Sequence, residues 1–213
     1  LHVYGTYDLR TGRVWQVKRA VTEQVLLHHL QGKQPYGVYL LVRDRIRALA
    51  VDFDENDLLP PIDFIAAAGH YGITAYLERS KSKGYHAWVF FPPEGVLAAR
   101  ARLVARHILA EIQQPHTEIF PKQDSLGNDG FCGNFINAPL FGRLVPQGRT
   151  VFLDPKEPTR RHPDQWALLA SVKRVSAKLL DEVIEINDLA KKQPTSPAPP
   201  ARNITGQTFG LPP

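Results

Sequence analysis

Methionine is absent from this sequence of 213 residues, and cysteine occurs once, at Cys132. A single cysteine excludes an internal disulfide and any zinc site built from several cysteines, and it favours a reducing compartment. No stretch approaches the roughly twenty consecutive apolar residues a spanning helix needs, and the start carries no signal-peptide pattern, so no membrane partner is expected. With Leu1 first and no Met anywhere, the sequence reads as a piece of a longer protein whose other domains are expected partners. What the chain does have is a mild excess of base, a formal charge of +5 and a pI near 9.4, which suits a polyanion such as nucleic acid.

No internal repeat is visible. Residues 14–31 have helical spacing after an extended entry, ending at Gly32. Tyr36–Val42 and Ile46–Asp54 read as strands joined by the charged turn Arg43-Asp44-Arg45. Pro60 and Pro61 suit the start of a helix that ends at Gly69, with Asp63 capping or solvated. "ITAYLER" and "YHAWVFF" form a strand pair around "SKSKG", and Val96–Ile112 is helical, with Arg100, Arg102 and Arg106 on its surface. Residues 117–153 read as short strands, and Trp166–Ala190 as one long amphipathic helix. These elements predict an α/β (α+β) domain on a mixed sheet, over residues 1–192, followed by a Pro-rich linker or tail at 193–213.

Three stretches carry chemistry. In "LAVDFDEN", Asp52 and Asp54 lie two residues apart at the end of an apolar strand, so both project to one face, where their like charges repel unless a cation or water relieves them. In "ERSKSKGYHAWVFF", a loop of Ser80, Lys81, Ser82, Lys83 and Gly84 offers hydroxyls, ammonium groups and backbone N–H donors to a phosphate, and His86 opens the strand after it. In "HTEIFPKQDSLGNDGFCGNFINAPLFGR", Glu118 interrupts an apolar strand, Lys122 and Gln123 follow Pro121, and a Gly/Asn-rich loop leads to Asn134. Taken singly, each has a bland reading: a strand end turning to water, a solvated hairpin tip with a structural histidine, an edge strand with an exposed acid.

The ordered set resembles the archaeo-eukaryotic primase superfamily, whose marks are an Asp-x-Asp pair, a Ser-x-His-type motif and a third acid at a strand. "SKSKGYH" looks like the Ser-Gly-x-x-Gly-x-His loop of bacterial end-joining polymerase domains, with Lys81 in place of the first Gly. "EIFPKQ…LGN…GNFINAPLFG" is closer to the primase-polymerases of bacterial conflict systems and those associated with CRISPR. The likeness runs from about Val38 to Asp154. It implies an RRM-like catalytic core with flanking helices, in a cytoplasmic, prokaryotic protein that acts in replication, repair, CRISPR or conflict systems.

The resemblance also implies roles. Asp52, Asp54 and Glu118 match the metal-binding, catalytic acids, with two Mg²⁺ or Mn²⁺ ions as cofactors. His86 matches the nucleotide-binding histidine; Ser80, Ser82 and Lys83 fall at the triphosphate, and Lys122 and Asn134 are further nucleotide contacts. The substrates implied are a DNA primer-template with dNTP or NTP. Arg143 and Arg149, flanking an expected hairpin, either touch template or phosphate or are plain surface charges. Asp124 competes with Glu118 for the third acid, and His28-His29 reads as core or surface. Cys132 as a nucleophile lacks an oriented base. The rivals are a two-metal nuclease or phosphoesterase and a non-catalytic nucleic-acid-binding module.

Overall fold

The computed structural model describes residues 2–126 and 133–190. Cys132 and the Pro-rich tail expected at 193–213 lie outside the described residues, as do the last residues, 191 and 192, assigned to the domain. The chain begins with a hairpin, β1 (Tyr4–Tyr7) and β2 (Val14–Val17), then α1 (Glu23–Leu30). Three two-residue strands, β3 (Gly37–Val38), β4 (Leu41–Val42) and β5 (Arg45–Ile46), precede β6 (Ala48–Phe53). Helix α2 (Leu59–His70) leads to the hairpin β7 (Ala75–Arg79) and β8 (Tyr85–Phe90), and β9 (Val96–Leu97) enters α3 (Ala98–Glu111). After β10 (Glu118–Phe120), β11 (Ile136–Asn137) and β12 (Val151–Phe152) come α4 (Gln165–Ala170) and α5 (Ala177–Ile186).

The central sheet has the order β10-β6-β8-β7-β12. Its first four strands with α2 and α3 trace β-α-β-β-α-β, the split arrangement of ferredoxin-like and RRM folds, with β12 added outside β7. The fold is thus α+β. The paired strands run antiparallel, and a parallel bridge joins Phe90 to Arg174. Two small sheets, β11-β3-β1-β2 and β4-β5-β9, flank the central one.

Strand alternation sorts the central sheet into two faces. Leu49, Val51, Phe53, Ala87 and Val89 pack against Phe64 of α2, the Ala101/Val104/Ala105/Ile108 stripe of α3 and Leu180 and Val183 of α5. On the other face Ala50, Trp88 and Phe120 meet Ile136, Phe152 and Leu168. Both layers are apolar, and acids gather only at the end of the second face.

Four local readings are corrected. Residues 14–17 are a strand: Asp8 Oδ1 accepts the N–H groups of Arg10 and Thr11, and Gly12 takes φ +70°, so the chain turns back and pairs Val14–Val17 with β1 before the helix begins at Glu23. The expected 166–190 helix is two helices. Ser171 Oγ donates back to the carbonyls of Ala167 and Leu168, Val175 N–H donates to Phe90 O, and Ser176 caps α5 through Leu179 N–H. Arg102 is buried rather than on the surface, donating to Asp124 and to the Pro121 carbonyl. Between Arg143 and Arg149 the chain forms a 3-10 turn, Val145–Gln147, in place of a hairpin.

Candidate active site

The hydrogen-bond register of the central sheet lines up four polar residues. Glu118 of β10 pairs with Asp52 of β6, Asp52 with His86 of β8, and His86 with Glu78 of β7. Side chains directly opposite one another share a face, so these four make one row across the sheet. The neighbouring row on the same face is Phe120, Ala50, Trp88 and Tyr76. Charge therefore begins where the apolar layer stops.

Glu78 is the member that sequence reasoning missed. It is only 1% exposed; its Oε2 accepts from His86 Nδ1 at 2.8 Å and from Trp88 Nε1 at 2.5 Å. The signal was present in "AYLER": Tyr76 and Glu78 alternate with Ala75 and Leu77, placing an acid on an otherwise aromatic face. The other ring nitrogen, His86 Nε2, lies 3.4 Å from Asp52 Oδ1. Burial disfavours a charged imidazole, yet Glu78, Asp52 and Asp54 outweigh it and lift the His86 pKa above the ordinary value. Burial raises the Asp52 pKa; His86 opposes that, while the charges of Asp54, Glu118 and Glu78 add to it.

Asp54 follows the strand and is exposed. Glu118 is half exposed, with its Oε1 accepting from Lys122 Nζ at 2.7 Å, and that ammonium also lies 5.1 Å from the centre of the Phe120 ring. Asp124, the competing acid, accepts from Arg102 Nε at 2.5 Å and is thereby tied to α3. Among the described residues, no three His, Cys, Asp or Glu side chains are gathered into a ready-made metal cage. The donor chemistry does fit a hard divalent cation: Asp52 is destabilised as an anion by burial and by three neighbouring acids, and a cation relieves both.

The phosphate-loop candidates separate into two kinds. Ser80 is buried, and its Oγ donates to the Lys83 carbonyl at 2.7 Å, so it shapes the loop. Ser82 and Lys83 are exposed. Lys81 is half-buried, its Nζ 4.2 Å from the centre of the Tyr7 ring; burial lowers its pKa and the charge of Asp52 opposes the shift. Gly84, at φ +87°, leaves room for the chain itself: a Cβ would collide with the Phe53 carbonyl and crowd the Asp54 backbone. The loop is pressed against the acid strand there. Asn134 is exposed and its Oδ1 accepts from Gln123 Nε2 at 3.1 Å. His29 belongs to the N-terminal sheet and its helix, bonded to Tyr36 and Pro139.

Residues 13–183 match the family model described as the archaeo-eukaryotic primase domain of the TOTE conflict system. The chain belongs to this family. Membership gives a primase-type domain built for nucleotidyl transfer in general, and the row described above lies within the matched residues. Among solved structures the polymerase domain of Mycobacterium tuberculosis Ligase D, in complex with DNA, is similar at 17% identity, covering 90% of this chain and 75% of that one, with a TM-score of 0.41. No curated protein matches. Among the described residues, no helix is long and apolar enough to cross a membrane.

Proposed function

We propose that this primase-family domain is a template-dependent DNA primase-polymerase, joining dNTPs or NTPs to a primer 3′-hydroxyl or to a first nucleotide. The observation that carries this reading is the register that sets Glu118, Asp52 and His86 side by side on one sheet face. Asp52, Asp54 and Glu118 would hold two Mg²⁺ or Mn²⁺ ions. Such ions supply charge stabilisation at the phosphates and lower the pKa of the attacking hydroxyl.

The protein's own groups orient and neutralise. Glu78 fixes the Nδ1 proton of His86, so Nε2 is the nitrogen left to donate to a triphosphate oxygen. Ser82 and Lys83, exposed on a loop that packs on the acid strand, offer a hydroxyl and an ammonium to the same triphosphate. Lys122 balances Glu118 and sits within reach of incoming phosphate charge, and Asn134 is a further nucleotide contact. The apolar row beside them, whose Trp88 stacks on Phe90 of the next row at 6.3 Å, walls the buried end of the site with apolar side chains.

Labelled primer-template incubated with Mn²⁺ or Mg²⁺, with and without dNTPs or NTPs, tests the reading. Primer growth is expected, and Asp52→Ala with Asp54→Ala should reduce it by about three orders of magnitude or more. Shortening of the primer would instead make the domain a nuclease. Undiminished growth in the double variant would remove the acids from the site.

A further inference from the structure

Arg79 follows Glu78 on β7 and so points to the opposite face of the sheet. Its Nη1 donates to the Tyr85 hydroxyl and its Nη2 to Asn56 Oδ1, both at 2.8 Å. Beside it is a cavity of about 330 Å³ whose walls include Arg79, Gln147, Arg149, Thr159 and Arg161. Among the described residues, no carboxylate lines this cavity. Arg149, which lines the cavity, has its Nη1 buried without a hydrogen-bond partner among the described residues. Native proteins rarely leave a buried charged donor unpaired, because the lost hydration has no compensation.

The position of Arg149 is firmly held. Gly148 and Thr150, on either side, both take positive φ, +68° and +55°. Thr150 N–H donates to Arg79 O at 2.7 Å, and Thr150 Oγ1 donates to Arg149 O at 2.7 Å while accepting Phe141 N–H at 3.1 Å. The backbone that carries Arg149 is therefore a fixed turn, stitched to the β7 edge next to Arg79.

A guanidinium presents N–H groups in a fork that matches the oxygens of phosphate, and three such groups with no acid call for a strongly negative, multidentate ligand. The Thr159 hydroxyl and the Gln147 amide add neutral donors. We propose that this cavity is a phosphate-binding site separate from the acid row, taking a phosphate group of a nucleotide or of a nucleic-acid backbone. The site goes beyond the polymerase reading and does not depend on it, since it lies on the other sheet face and uses none of the same residues.

The test is binding, without divalent ions or turnover. The full chain is titrated at constant ionic strength with inorganic phosphate, thymidine monophosphate, an oligothymidylate lacking terminal phosphates, and acetate as a carboxylate control. Arginine side-chain NMR resonances report each addition. Arg149 and Arg161 signals should move with a phosphate-bearing probe and stay still with acetate. Arg161→Gln, at an exposed position, should weaken that binding roughly three- to tenfold, and Arg149→Lys, which keeps the charge and loses the fork, should weaken it comparably. Saturation by oligothymidylate alone assigns the backbone as source; saturation by phosphate or the monophosphate assigns a nucleotide. Unmoved Arg149 signals with all three phosphate probes, an equal response to acetate, or wild-type binding by both folded variants would overturn the proposal.

Discussion

His29 and His86 are both buried, and their surroundings push them in opposite directions. His29 Nδ1 accepts the Tyr36 N–H at 2.9 Å and its Nε2–H donates to the Pro139 carbonyl at 2.8 Å, an arrangement only the neutral ring can make. Burial lowers its pKa, opposed by the Pro139 carbonyl and the charge of Glu78. His86 has carboxylates at both nitrogens, Glu78 at 2.8 Å and Asp52 at 3.4 Å, and is raised. Similar burial thus gives a neutral structural pin in one place and, in the other, a ring whose protonated form is favoured by its carboxylates. The partner type decides, not the depth.

The largest expected difference is in chemistry. His86→Ala should lower nucleotide incorporation by about two to three orders of magnitude while primer-template affinity changes little. His86→Asn, which can still donate to Glu78, serves as the check that loss is not misfolding. A variant with normal incorporation kinetics and poor DNA affinity would move His86 out of the nucleotide site. His29→Ala should do the reverse, leaving incorporation per folded molecule intact. It strands a buried N–H and a carbonyl, so stability should fall by about 2–4 kcal/mol, or roughly 5–15 °C in a thermal melt. A melt within a degree of wild type would show that the two bonds do not hold α1 in place.

How far this contrast was legible follows from which signals are local. Asp52, Asp54 and His86 were readable because strand alternation is a period of two and each acid or imidazole interrupts an apolar run. The register that places Glu118 beside Asp52 was not, since pairing across more than sixty positions of chain depends on packing. Glu78 passed as an ordinary strand residue because its meaning comes from His86 and Trp88 on the next strand. The role of His29 required Pro139, which is 110 residues away. The fold class survived the merging of α4 with α5 because both helices still cover apolar positions, Leu168 on one sheet face and Leu180 and Val183 on the other.

A smaller effect sharpens the assignment of Glu78 as a positioning residue. Glu78→Gln keeps an acceptor for Trp88 Nε1 but removes the anion from His86 Nδ1. We expect incorporation to fall about tenfold, expressed in the KM for nucleotide more than in kcat, with the His86 ring nitrogens shifting in ¹⁵N NMR. Unaltered imidazole shifts would make Glu78 a mere hydrogen-bond filler.

The smallest effect is in acid. Because the folded His29 pKa is depressed, its contribution to stability is complete above the unfolded value, about 6.5, and is lost as pH falls through the folded value. Chemical denaturation of wild type and His29→Phe between neutral and mildly acidic pH should therefore converge as pH drops. Parallel curves would mean that the ring is not the titrating group.

The crowding at Gly84 has a mechanical consequence. Where the loop meets the end of β6, backbone touches backbone, with no compliant side chain between them. A side chain is a spring; a carbonyl set against a Cα is a rigid spacer. The loop cannot close further on the Phe53–Asp54 backbone at Gly84, so the span between the acids and the loop has a hard lower limit there. A ligand shorter than that limit cannot draw the two ends of the site together.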